Sequence, residues 1–255
     1  MQTVLTPSTE ITQLVGAEKP VTRKEKVLGV IRLTRPQFIA AYAVVGVSGI
    51  VFGLNQGKEL PNASSPFLAF LPIIIAAMGV HFRDEASDWI AGYDKKHGGM
   101  GVIRDGLFEE KIIRNWGVLL TILAILMGIL QAIAAPILFF IGIPMCLVII
   151  FANYLTEEIP LGHELITASS YWGTFLWMYL YQGWPITLSI ILGSLFIYLI
   201  VLALVPYQDI GDIKSDLRSG KKTLTVRLGL DGIGHLCIFL ALGSLLVLSL
   251  ALLVD

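Results

Sequence analysis

Cysteine is almost missing from this chain: Cys146 and Cys237 are the only two among 255 residues, and each lies inside an apolar stretch. A disulfide framework and a CxxC metal site are both excluded, and the two thiols read as packing residues. Charged residues are scarce as well, at 15% of the chain, and the net charge of -1 offers no basic surplus for a nucleic-acid partner. Paired histidines are lacking too; His81 sits at the end of an apolar run and reads as a packing residue, and His97, His163 and His235 form no ligand spacing. The first 27 residues hold no apolar run of signal-peptide length, so they read as a polar tail (1–27) before one membrane domain (28–255), whose first span directs insertion.

Apolar sequence fills the rest. Hydrophobic residues make up 55% of the chain and the mean hydropathy is +0.77, which makes a lipid bilayer the expected solvent. Runs without Asp, Glu, Lys or Arg occur at 37–55, 67–82, 117–134, 136–152, 165–183, 185–205 and 232–254. The expected fold class is therefore all-α, a polytopic transmembrane helix bundle of about seven spans. Only the Ala135-Pro136 step separates the third run from the fourth. A tight hairpin with Pro136 opening the second helix is one reading; a single kinked helix is the other, although about 35 residues at 1.5 Å each would overshoot a bilayer. Trp89, Trp172, Trp177 and Trp184 read as interface anchors or interhelical packing.

The charges are distributed unevenly. Of the 18 Lys and Arg residues, all but Lys58 lie before the first run, between the second and third, or between the sixth and seventh. The positive-inside bias then puts the N-terminus, the 83–115 loop and the 206–231 loop on the cytoplasmic side of an inner membrane. The even number of spans between the two loops independently puts them on one side.

Both loops are acidic. The first carries Asp84, Glu85, Asp88 and Asp94, with Asp84 and Asp88 on one face if the second span continues as a helix, and Gly92 placed to turn Asp94 back towards them. The second carries Asp209, Asp212 and Asp216, spaced i, i+3, i+7, which is a single helical stripe. Like charges stacked in this way repel unless a cation sits among them. Carboxylate oxygens without Cys or paired His favour Mg2+. Basic residues follow each cluster, Lys95, Lys96 and Arg104 after the first and Lys221, Lys222 and Arg227 after the second. Metal flanked by cations suits a diphosphate, including one that is leaving. A lone DxxxD is in general a solvated helix end; two such clusters on one face, each with a basic tail, point to a metal-diphosphate site.

These residues resemble the UbiA superfamily of intramembrane prenyltransferases, within it the 1,4-dihydroxy-2-naphthoate polyprenyltransferase branch of menaquinone biosynthesis. Arg32-Leu-Thr-Arg35-Pro36 is similar to the family's RPxT-type opening, Asp84 to Asp94 to NDYxDxxxGxD, and Val102 to Phe108 to the stretch that follows. Pro160-Leu-Gly-His-Glu-Leu165 with Tyr181-Gln182 resembles PxGxGE…YxQ, and Asp212 to Gly229 resembles RDxxxDxxxGKxTLxxRLG.

The resemblance implies that Asp84, Asp88 and Asp94 hold one Mg2+ and Asp212 with Asp216 another, bridging the diphosphate of a prenyl donor. It makes Asp84, Asp88, Asp212 and Asp216 the catalytic carboxylates, and Arg35, Lys221 and Arg227 accessory phosphate contacts. The acceptor it implies is a lipophilic aromatic quinone precursor. The family has nine transmembrane helices, so a chain of seven spans ending at Asp255 is expected to lack the last two. The sequence departs from the pattern at Asp84 (Asn in the family), Glu85 (Asp), Gln208-Asp209 (an Asn pair), Gly211 (Arg) and Thr156-Glu157-Glu158 (a Gly/Arg/Pro-rich loop). Extra negative charge at Asp84 and Asp209, with the amides lost there, is expected to retune the metal site or the donor. Two other readings stand beside transfer: a terpene cyclase using the same ionisation chemistry, and, from another class, a membrane transporter. Transporters tend to place ionisable groups at the bilayer midplane, whereas these spans carry none.

Overall fold

The computed structural model describes residues 21–92, 99–159, 161–213, 217 and 223–254. Eight helices occur among the described residues: α1 (Arg23–Thr34), α2 (Pro36–Asn55), α3 (Ser65–Ala91), α4 (Glu110–Ala134), α5 (Phe139–Glu158), α6 (Gly162–Leu180), α7 (Leu188–Gln208) and α8 (Leu224–Val254). Helices α2 to α8 cover the seven apolar runs, so the expected bundle is the observed one. Arg23–Asn55, α3, α4, Leu188–Gly211 and α8 are long and apolar enough to cross a membrane, and Pro136–Ala152 is a shorter apolar helix.

Local chemistry sets the boundaries. Thr22 caps α1: its hydroxyl oxygen accepts the Glu25 N–H at 3.2 Å, and the Glu25 carboxylate accepts the Thr22 N–H at 2.7 Å. Helix α1 therefore begins inside the stretch assigned to the polar tail. Arg35 ends α1 in the left-handed region (φ 46°), and Pro36 opens α2. At the third-fourth boundary Pro136–Leu138 forms a 3-10 turn between α4 and α5. Gly128 and Gly142, seven residues either side of Ala135, both lie against the Trp177 ring, with Cβ positions 3.8 and 3.3 Å from it. That symmetry is a hairpin and excludes the single kinked helix. Helix α8 is interrupted at Gly229, whose φ of 67° no ordinary side chain adopts readily.

Helix α6 is central, packed against α2, α5 and α7, and most of it is buried. This explains how one span can carry Ser, Thr, Tyr and Trp: its polar groups meet protein rather than lipid. Helix α2 meets α6 along Gly46 and Gly49, and Gly53 faces the Trp184 ring just beyond α6; a Cβ on Gly49 would lie 2.5 Å from the Phe175 carbonyl oxygen. Helices α3 and α4 cross at Gly79 and Gly117, where added Cβ atoms would come within 2.9 Å of the Thr121 and Arg83 backbone nitrogens respectively. Where lipid surrounds a bundle, close contact between helices takes over from hydrophobic collapse as the driving force, and small residues permit it. Hydrogen bonds inside the bundle join Tyr42 to Ser170 (2.8 Å) and the Trp177 indole to Gln131 (3.1 Å). Trp177 and Trp184 are both buried packing residues.

Cross-helix contacts sort the helix ends into two faces. On one, Ser65 donates to Gln182 (2.6 Å), Gln56 to Ser189 (2.6 Å), and the Trp184 indole to the Glu59 carbonyl (3.1 Å). On the other, Arg35 meets Asp84, Arg83 donates to the carbonyls of Ile149 and Ile150, and His163 meets Asp209. Both acidic segments thus lie on one face, and Lys58 belongs to the opposite one.

Candidate functional site

Helix α3 has 27 residues, about 40 Å at 1.5 Å per residue, against a hydrocarbon core of about 30 Å. Its last two turns extend past the apolar run and carry Asp84 and Asp88 on one helical face, as expected. Gly92, at φ 87°, ends the helix with its N–H bonded back to Trp89 at 3.2 Å; Asp94, which a turn here is expected to bring back, lies outside the described residues. The Arg35 guanidinium donates to Asp84 Oδ2 at 3.0 Å, and both side chains are mostly shielded. Arg35 holds a left-handed backbone that costs a residue with a Cβ on the order of 1–3 kcal/mol, and that conformation sits at the junction from which its side chain reaches the carboxylate. Behind the pair, the His81 ring tilts against Phe38 with centroids 5.3 Å apart, the packing role expected of it.

Glu85 points elsewhere. It is 3% exposed, and its carboxylate accepts the N–H of Met100 at 2.8 Å and of Val102 at 3.2 Å. The carboxylate is committed to the 99–108 loop. Val102, Ile103 and Leu107 of that loop pack with Leu33, Phe82 and Ile113, and Arg32 meets Asp105 at 3.5 Å. A small second core thus fixes α1, the loop and the end of α3 relative to one another. Arg104 sits on this loop beside Asp105 at 3.3 Å. Replacing Glu85 by Ala would leave two shielded N–H groups without an acceptor, at about 1–3 kcal/mol each. Faster hydrogen exchange confined to residues 99–108 is the expected result in Glu85→Ala.

The second acidic segment begins where α7 ends. Asp209–Asp212 forms a 3-10 turn, in which positions i and i+3 eclipse one another. His163 Nε2 lies 3.7 Å from Asp209 Oδ1. The next residue, Glu164, is 1% exposed, and its Oε1 accepts the Leu224 N–H at 2.6 Å, while Oε2 is buried without a hydrogen bond. Thr225 Oγ1 donates to the Pro206 carbonyl at 3.0 Å, joining the start of α8 to the end of α7. Arg227 is exposed on the first turn of α8. In the sequence Glu164 stands out only as part of the Pro160–Leu165 motif; its deep burial next to a helix start is a tertiary feature.

Of the expected ligands and contacts, Asp84, Asp88, Asp209, Arg35, Arg104 and Arg227 are placed by the structure. Asp94, Lys95, Asp216 and Lys221, and the side chain of Asp212, lie outside the described residues. Among the described residues no three metal-ligating side chains come together.

No protein family matches the chain as a sequence, and no curated protein does. Solved structures do. A UbiA homolog from Archaeoglobus fulgidus bound to GPP and Mg2+ superposes with a TM-score of 0.72, at 13% identity over 89% of this chain and 78% of that one. This chain has the UbiA fold. A second structure, a UbiA homolog from the same organism bound to DMAPP and Mg2+, gives a TM-score of 0.65 at 13% identity, over 88% of this chain and 84% of that one. In this UbiA fold the two acidic segments share an end of the bundle, α3 supplying one and the α7-α8 connection the other.

Proposed function

We propose that this protein is a Mg2+-dependent intramembrane prenyltransferase. The observation that carries the reading is the arrangement of Asp84 and Asp88, with Arg35 against Asp84, on the same face of a UbiA fold as Asp209. It is supported by the two UbiA homologs of that fold, bound to GPP or DMAPP with Mg2+. The donor set fits the ion: hard carboxylate oxygens on protruding helix ends, with a guanidinium already balancing one of them. Asp84, Asp88 and Asp94 would hold one Mg2+ and Asp209, Asp212 and Asp216 another. Bound there, the metal supplies charge neutralisation for the departing diphosphate.

Arg35, Lys95, Arg104, Lys221 and Arg227 are the cations available to the phosphate oxygens. In the reaction the donor's allylic C–O bond breaks, its electron pair leaving with pyrophosphate. A carbon–carbon bond forms at the acceptor, which gives up a proton, or a carboxyl group if it is a naphthoate. The acceptor proposed is an aromatic quinone precursor resembling 1,4-dihydroxy-2-naphthoate, as in menaquinone biosynthesis. The acidic face is cytoplasmic by its excess of Arg and Lys.

The test is pyrophosphate release in proteoliposomes supplied with GPP and a dihydroxynaphthoate. Release that stops with EDTA and returns with added Mg2+ is the expected outcome, together with a prenylated acceptor. A cyclic hydrocarbon formed without acceptor would replace transfer by cyclisation. Flux of substrate without pyrophosphate from any donor would make the protein a transporter.

A further inference from the structure

We infer that the first turn of α6 is a clamp for the second acidic segment, with Glu164 as its positioning residue; this rests on the proposed function for its catalytic consequence, though not for its structural one. Two consecutive side chains reach the two ends of one connection. His163 faces Asp209, where the connection leaves α7, at 3.7 Å, and Glu164 accepts the N–H of Leu224, where α8 begins, at 2.6 Å. The partners in the second contact are 60 residues apart in sequence, so no local turn chemistry explains it. A carboxylate on the first N–H of a helix satisfies an orphan donor and complements the helix dipole.

Glu164 is also an unusual residue for its position. It is 1% exposed, and its second oxygen accepts no hydrogen bond. Burying a carboxylate with half its acceptors idle is unfavourable unless the remaining contact is needed. With the His163 contact to Asp209, it ties both ends of the Asp209–Leu224 connection to one turn of the central helix. Fixed ends reduce the conformations open to the chain between them, so carboxylates on it meet a divalent ion with less ordering still to be done.

Hydrogen exchange of the full-length protein, followed in peptides across 206–228 and in control peptides from α2 and α3, tests the clamp. In Glu164→Ala the Leu224–Arg227 amides are expected to exchange at least ten-fold faster with the controls unmoved. Glu164→Gln, which keeps an acceptor oxygen for Leu224, is expected to restore wild-type exchange. Unchanged exchange in Glu164→Ala overturns the clamp, as does a loosening spread evenly over α2 and α3, which is the mark of a merely structural role. In the pyrophosphate assay the Mg2+ concentration for half-maximal rate is expected to rise about ten-fold in Glu164→Ala, with kcat within two-fold. A locally loosened variant with an unaltered Mg2+ requirement overturns the positioning role. Should wild-type protein release no pyrophosphate from any prenyl donor, the proposed function falls, and the exchange data still decide whether Glu164 fastens Leu224.

Discussion

Replacing Asp88 by Ala is expected to lower pyrophosphate release by roughly 10³-fold or more, with yield and melting temperature close to those of the wild-type protein. The size follows from the role: a group that stabilises charge developing in a transition state is worth about 10²–10³ in rate when it acts alone, and a carboxylate that also fixes a metal ion adds the loss of that ion. The selectivity follows from position. Asp88 lies on the last turns of α3, outside both buried apolar clusters, so its loss is expected to spare the packing of the bundle. Asp216→Ala is expected to behave alike. Rates within two-fold of wild type in either variant, measured at saturating donor and Mg2+, would remove these carboxylates from the site.

The second large effect is on folding. At Gly79 a Cβ would stand 2.8 Å from the Thr121 hydroxyl, 2.9 Å from the Thr121 backbone nitrogen and 3.1 Å from the Gly117 carbonyl oxygen. Two of those three atoms are backbone of a neighbouring helix, and helices yield less readily than side chains. Gly79→Leu is therefore expected to cost about 3 kcal/mol or more, beyond the usual range for an overpacked side chain. It should appear as a large drop in melting temperature in detergent and a poor yield of monodisperse protein. Gly243→Leu provides the control, since no described atom lies within 4 Å of its Cβ and lipid can accommodate a leucine there. The spacing between α3 and α4 also sets the position of Arg83 and Asp84 one turn further along, so whatever Gly79→Leu protein is recovered is expected to have lost activity as well. Equal melting temperatures for Gly79→Leu and Gly243→Leu would show that α3 and α4 do not need their close crossing.

Most of the architecture was legible in the residues because membrane folding simplifies the code. Seven runs without formal charge marked α2 to α8, and the placement of Arg and Lys put both acidic segments on one side, as Arg35 with Asp84 and His163 with Asp209 now show. The unbroken passage of α3 into the Asp84–Asp88 stretch followed from helical spacing, and the Ala135-Pro136 hairpin from length alone. Three features were not read. The start of helix α1 carries a legible signal, Thr22 followed three residues later by Glu25, yet it falls inside the polar tail because residues 1–27 hold no apolar run. Glu85 stands among aspartates in the sequence, but i and i+1 side chains diverge by about 100° on a helix, and this one turns into the 99–108 loop. Arg35's left-handed backbone gave no warning, since a residue before proline is ordinarily extended, and only the tertiary pairing with Asp84 accounts for it.

A helix that outruns the oil around it also decides where reactants must meet. Under the proposed function, acidic turns that extend past the apolar run of α3 would ask no charged head to enter hydrocarbon, and the prenyl tail of a donor could stay dissolved in the leaflet. A prenyltransferase built in this way would sample its donor in two dimensions. Turnover should then track the mole fraction of donor among the lipids and fall when inert phospholipid is added, even though the amount of donor per millilitre is unchanged.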